Sequence, residues 1–301
     1  MNRMNRNSIA CTALLLSAAC YHNSVPSEKD IAAVRLDHAP QTAAELALPL
    51  VYWTEHLTPD TEAISVLRVD LHDRHLAVDA VIADDPDGSG PAEAALTDPL
   101  VLARNAHVLA AVNANAFAGM PDSAGKRDDH WHVSQPVDIQ GVAIHDGVTR
   151  SKGPEKGAPD IAFGVDRHGK PYIGAAAGGV ALEDAVNAWS FAMFGKDGAR
   201  PNSGGPRHPR TAVGFDASGR WLYLVVVDGR QPGYSVGMTA RELTDLMVRL
   251  GATSALNLDG GGSSILLVAQ HDGSLQIVNK PSGGSPRPVP VMLTVRRRSQ
   301  K

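Results

Sequence analysis

Along much of the chain apolar and polar residues alternate, and the elements this pattern predicts are mostly short strands. Ile64, Val66 and Leu71, followed by Leu76, Val78, Ala80 and Ile82 beyond His72-Asp73-Arg74, read as two alternating strands around a tight turn. These folding signals begin near Leu48. Residues 107–112, 142–144, 161–163, 211–216, 275–278 and 289–295 predict further strands, most of them closed by Gly- or Asp-rich turns. Residues 221–227 are almost continuously apolar, which predicts a strand covered on both faces. The run 188–194 fits a helix or a strand equally well. A helical period appears only after Thr239-Ala240-Arg241-Glu242, a capping box; Leu243, Leu246, Met247 and Leu250 then share one face, and Gly251 stops the helix. Pro91 followed by residues 92–105 predicts a second helix, broken or kinked at Pro99. The expected fold class is α+β: short, mostly antiparallel strands, a few packed helices, and the pocket at strand ends.

Composition agrees. The 29 glycines and 20 prolines, with aromatics at only 5%, favour turns and short strands over a helical bundle. Hydrophobic residues make up 43% of the 301, enough for a real core. The formal charge of −4 leaves no electrostatic footprint for nucleic acid, so none is expected as a partner.

The N-terminus reads as an export signal. Arg3 and Arg6 precede an apolar segment, residues 9–16, that is too short to span a bilayer. Leu16-Ser17-Ala18-Ala19-Cys20 then resembles the lipobox of bacterial lipoproteins, which are cut before the cysteine and acylated on it. The expected organisation is a signal peptide over 1–19, a lipoprotein tether over 20–45, and one folded domain over 46–297. Within that domain, 46–105 is a hairpin and helix part, and 106–297 bears the motifs. Cys11 leaves with the signal, so Cys20 is the one mature cysteine, and disulfides and thiolate metal sites are excluded. The expected location is the cell envelope, with the membrane a partner through lipid on Cys20; a plain secretory cut is the alternative.

Candidate chemistry centres on residues 255–268, where an apolar run carries Asn257 and Asp259 into Gly260-Gly261-Gly262-Ser263-Ser264 and a second apolar run follows. Consecutive glycines leave amides uncovered for a small anion, although the same stretch also reads as a plain strand–turn–strand connection. Other polar residues sit at similar strand–loop junctions: Asn113, Arg210, Thr211, Asp228 and Arg230. Carboxylates serve as acid, base or nucleophile at a sugar carbon, and arginine grips phosphate in a fork; the same residues also suit turns and surface pairs. Asp128, Asp129, His130 and His132 have no helical ligand spacing, and no metal site is expected. Gly233-Tyr234-Ser235-Val236-Gly237 matches G-x-S-x-G, with Asp259 and His271 in triad order. An elbow needs a strand running into its serine, however, and here Pro232 intervenes and the helix waits until Thr239.

Taken in order, the motifs resemble the phosphodiester glycosidase family across residues 111–295. The resemblance is carried by Ala110-Ala111-Val112-Asn113-Ala114-Asn115-Ala116-Phe117, by Arg210-Thr211-Ala212-Val213-Gly214 and by Asp228-Gly229-Arg230. Ser235-Val236-Gly237-Met238-Thr239, Leu256 to Ser264, Val278-Asn279-Lys280-Pro281 and Arg287-Pro288-Val289 complete it. One departure stands out: the Gly-Gly after the family's Asn is Ala114-Asn115 here, and Ala116 takes an aromatic position.

The resemblance implies hydrolysis of a sugar-1-phosphodiester at the anomeric carbon–oxygen bond, releasing free sugar and a phosphomonoester. It implies Asp259, Asp228 and Arg210 as catalytic residues, with the two aspartates at the sugar as nucleophile or base. Arg210 and Arg230 would meet the phosphate together with the amides of Gly260, Gly261 and Gly262. Asn113 and Asn257 would position hydroxyls, and Asn115, Thr211 and Ser263 complete the substrate-binding set. No cofactor is called for, with room left for a structural divalent cation; the partner is a glycan or sugar-1-phosphodiester. Two alternatives stay open: a non-catalytic glycan-binding envelope lipoprotein, and a Ser235 esterase.

Overall fold

The computed structural model describes residues 32–58, 61–88, 90–153, 161–176, 179–187, 192–194 and 205–298. Cys20, the leader and the run 188–191 lie outside the described residues. Strands dominate, and the helices among the described residues are short: Ala43–Leu46, Pro99–Asn105 and Ala240–Arg249. The architecture is therefore mainly β, which narrows the α+β expectation.

A seven-stranded sheet runs Val34–Arg35, Leu50–Leu57, Glu62–Asp70, Trp221–Val227, Arg210–Phe215, Ser254–Asn257, Ala192–Phe194 from edge to edge. Only its first pair is parallel. A five-stranded antiparallel sheet packs against it, in the order Leu275–Ile277, Leu266–Ala269, Ala110–Asn113, Val291–Arg297, Leu76–Ile82. Leu222, Leu224 and Val226 enter the core between these sheets, beside Leu67, Val213 and Leu266. Tyr223, Val225 and Val227 point the other way, onto Leu243, Leu246 and Met247 of the helix Ala240–Arg249. Both faces of Trp221–Val227 are thus covered, as its apolar run predicts. Burying Leu243 and Met247 completely stabilises the helix–sheet contact by roughly 1.5–3 kcal/mol per side chain.

A second five-stranded sheet (Val148–Lys152, Val142–His145, Asp184–Asn187, Ile161–Val165, Pro171–Ala175) adds Phe163, Val165 and Val186 to the same core. A three-stranded sheet is built from Ala94–Ala95, Pro136–Ile139 and Phe117–Gly119.

Three local expectations change. The two strands flanking His72-Asp73-Arg74 exist but do not pair with each other. Glu62–Asp70 pairs with Leu50–Leu57 and Trp221–Val227, whereas Leu76–Ile82 turns into the other sheet beside Val291–Arg297. The helix predicted from Pro91 starts only at Pro99, because Asp98 caps it by accepting from the amides of Leu100 and Val101, and Pro99 needs no N–H there. The end of the expected tether is folded: Val34–Arg35 pairs with Leu50–Leu57, and Thr42 and Glu45 form a capping box on Ala43–Leu46. The buried Arg68 holds that helix down, its Nη2 donating to the carbonyls of Glu45, Leu46 and Leu48.

Candidate active site

The chain leaves the seven-stranded sheet at Asn257 and enters the five-stranded sheet at Leu266, so residues 258–265 cross the seam between them. Two backbone bonds pin the start of this crossover. Leu258 N–H donates to Thr211 O, and Asp259 N–H donates to Ala114 O. Gly260 has to be glycine, since a Cβ there would lie 2.7 Å from Pro209 O. Gly261 turns the chain with φ of +62°, and Gly261–Ser263 form a single 3-10 turn. Two of the three glycine amides are committed inside the protein: Gly260 N–H donates to Asp259 Oδ1 and Gly261 N–H to Pro209 O, both at 2.9 Å. The loop is therefore a rigid bracket for Asp259, and only Gly262 keeps an amide that could meet an anion.

A pocket of about 330 Å³ opens over this bracket, lined by Asp259, the three glycines, His208, Pro209, Arg210, Arg230 and Arg287. Asp259 is its carboxylate. Burial raises the Asp259 pKa to about 6, against the lowering effects of the neighbouring Ser263 hydroxyl, Arg287, the Gly260 amide and Arg230. Arg210 is held by its Nε donating to Met238 O and its Nη2 to Pro206 O. Arg230 has φ of +58°, a left-handed backbone unusual for a long side chain, and its Nη2 lies 3.4 Å from His208 Nδ1. Arg287 stands over Gly262, where a Cβ would come within 2.3 Å of its Nη2. Burial and the Arg230 charge lower the pKa of both Arg210 and Arg287, while Asp259 pulls that of Arg287 up. Burial, Arg230 and Arg210 together lower that of His208.

Arg287 and His208 were absent from the residues expected here. Both had a signal: Arg287 heads the family-like Arg287-Pro288-Val289, and His208 sits two residues before Arg210.

Several expected site residues stand behind the pocket wall. Asn113 is buried, its Nδ2 donating to Asp259 O at 2.7 Å and its Oδ1 accepting from Thr211 Oγ1 and Ile265 N–H. With these bonds made, Asn113 and Thr211 position the Asp259 bracket and do not face the cavity. Asn257 and Ser263 are buried in the same wall. Asn115 is buried too, and faces the second five-stranded sheet: its Nδ2 donates to Gln140 O and Val142 O, and its Oδ1 accepts from Asn187 N–H. The Ala114-Asn115 departure thus acts on packing behind the loop.

Asp228 is also turned inward. Its Oδ1 accepts from Asn279 Nδ2, and its Oδ2 accepts from Lys280 N–H and the Tyr234 hydroxyl. Burial raises its pKa and these three bonds oppose the shift. Ser235 is fully buried; its hydroxyl donates to Asp228 O at 2.6 Å and accepts from Ala63 N–H. His271 is exposed in its hairpin and lines a different hollow from Asp259, so no Ser-His-Asp triad assembles. That removes the geometric basis of the esterase alternative.

Two other features compete for attention and fit a structural role. A larger cleft of about 640 Å³ includes Arg74, Asp146, Asp184, Arg296 and Arg298, but Arg296 pairs with Asp79 and His145 with Asp184. Part of its charge is thus met inside the protein. In the exposed group Asp128, Asp129 and His130, Asp128 Oδ1 accepts the His130 amide, an ordinary turn bond.

The sequence profile of the phosphodiester glycosidase family matches residues 106–296, the span that builds the pocket. The chain belongs to the phosphodiester glycosidase family. Among solved structures it is similar to the catalytic domain of zebrafish N-acetylglucosamine-1-phosphodiester alpha-N-acetylglucosaminidase, auto-inhibited by its pro-peptide. That match has a TM-score of 0.57 at 20% identity, covering 89% of this chain and 87% of the other. A putative exported protein of Burkholderia pseudomallei K96243 aligns with a TM-score of 0.54 at 17% identity, covering 78% of this chain and 74% of that one. At these identities the likeness establishes the fold. The uncharacterized SPbeta prophage-derived protein YomE of Bacillus subtilis strain 168 is 37% identical over 89 residues, which is 30% of this chain and 13% of that protein.

Proposed function

We propose that this phosphodiester glycosidase family member hydrolyses a sugar-1-phosphodiester between the anomeric carbon and the phosphate oxygen. The observation that carries the reading is a pocket in which one carboxylate, Asp259, lies among three guanidinium groups. The arginines suit the phosphate. Asp259, with its pKa raised to about 6, suits a base at neutral pH. Water attacks the anomeric carbon and passes a proton to Asp259; the carbon–oxygen bond breaks and its electron pair stays on the phosphate oxygen. A phosphomonoester is a good leaving group once its charge is met, so no second carboxyl is required to protonate it. Asp228 then serves by holding the loops at residues 231–235 and 278–280, in place of the catalytic role expected of it.

The decisive experiment incubates the purified protein with an N-acetylglucosamine-1-phosphodiester in ¹⁸O-labelled water. Free sugar carrying the label at its anomeric oxygen, with unlabelled phosphomonoester, is the expected result. Label in the phosphate would reject cleavage at carbon, and binding without any release would favour the glycan-binding alternative.

Export and lipid attachment at Cys20 belong to the same reading, supported by the lipobox-like Leu16-Ser17-Ala18-Ala19-Cys20. Cys20→Ala is expected to abolish palmitate labelling and move the protein from the membrane to the soluble fraction. Unchanged fractionation would leave only a secretory signal.

A further inference from the structure

Arg210, Arg230 and Arg287 converge on one small pocket, and among the described residues none of them forms an ion pair. Elsewhere several arginines do meet a carboxylate: Arg207 bonds Glu62 and Glu242, Arg220 bonds Asp70, and Arg296 bonds Asp79, while the buried Arg68 is met by backbone carbonyls. Among the described residues the pocket offers one carboxylate against three cations, a surplus of two positive charges. Burial first, and the neighbouring Arg230 charge after it, lower the pKa of Arg210 and Arg287, so the cations sit together at a cost. Guanidinium groups are gathered in this way at a cost, and the cost is relieved by an anion of matching charge.

We infer that the pocket is built to receive phosphate in its doubly charged form, and so holds a phosphomonoester more tightly than a phosphodiester. The inference deepens the hydrolase reading and rests on it for its catalytic consequence. A phosphodiester carries one negative charge and leaves one positive charge of that surplus unmet. When the bond to the sugar breaks, the phosphate gains a second negative charge as Asp259 takes up the proton, so negative charge moves from the carboxylate onto the oxygens that face the arginines. Stabilisation therefore grows along the reaction, which is the condition for accelerating it. The same match makes the phosphomonoester slow to leave, so product release limits turnover and the product competes with substrate.

The test needs no substrate turnover. Calorimetry at pH 8 compares methyl phosphate, doubly charged at that pH, with dimethyl phosphate, singly charged. Methyl phosphate is expected to bind at least about tenfold more tightly, as a second charge-assisted contact would give. Arg230→Ala, at an exposed position, and Arg287→Met are each expected to erase most of that preference, with melting temperatures checked to show that the variants fold. Asp259→Asn is expected to keep or tighten methyl phosphate binding, because it removes the one negative charge. Equal affinity for the two esters, or a preference that survives both arginine changes, overturns the inference. The two readings also fail separately. Selective dianion binding without sugar release would reject the hydrolase and leave the site standing. Turnover that added phosphomonoester does not inhibit would reject the site and leave the hydrolase.

Discussion

Asp259→Asn is expected to lower kcat by about 10³-fold or more with little change in KM, since it removes the base while leaving the arginines in place. In the unaltered protein kcat/KM should fall tenfold per pH unit below about 6, where Asp259 becomes protonated, and the variant's residual activity should lack that limb. Stability supplies an independent readout with the opposite sign. Burial raises the folded-state pKa of Asp259 from 3.8 to about 6. Between those values the folded protein binds more protons than the unfolded chain, so this carboxyl's effect on stability worsens as pH rises through the window. Above it, the ionised side chain opposes folding in full. Asparagine removes that opposition, and the variant should melt higher than the parent at pH 7.5. A loss of activity accompanied by a lower melting temperature would mean that the Asp259 bracket has collapsed, and would count against the assigned role.

Asp228→Ala should behave the other way. It strands three donors, Asn279 Nδ2, Lys280 N–H and the Tyr234 hydroxyl, around a vacated buried position. Breaking a buried hydrogen-bonded charge site destabilises by about 3–5 kcal/mol. For a chain of this size that lowers the melting temperature by on the order of 10 °C. Asp228→Asn keeps the shape and most of the acceptor geometry, and is expected to retain kcat within about tenfold while still melting lower. If instead Asp228→Asn melts normally and loses kcat by three orders of magnitude, Asp228 takes part in the chemistry after all.

The contrast between these two aspartates marks how far the sequence can be read. Both end an apolar strand and precede glycine, so position along the chain cannot separate them. What separates them is which loop each carboxylate turns toward, and that depends on Asn279, Lys280 and Tyr234, contributed by other segments. Local signals were legible for the same reason. The Thr239 capping box and the apolar face behind it act within one helix, and the apolar run at Trp221–Val227 reports burial on both faces directly. Strand partners were not legible: alternation identifies Glu62–Asp70 and Leu76–Ile82 as strands but carries no record that they join different sheets. The triple glycine was found for a sound reason, yet its role differs from the expected one. Its amides bond Asp259 and Pro209, and the charge an anion would meet comes from Arg210, Arg230 and Arg287. Arg287 is 28 residues beyond Asp259 in the chain, and only folding shows that the two are neighbours.

The Asn113 side-chain amide accepts from Thr211 in one sheet and Ile265 at the entrance to the other, and donates to the carbonyl of Asp259. A single side chain therefore ties the pocket carboxylate to the docking of two layers. The pocket has no existence in either sheet alone, and a partial parting of the layers would disassemble it while most backbone ladders survived. If the proposed hydrolysis holds, activity is expected to report on how firmly the two halves of the sandwich are closed, and to be the first property lost when they part.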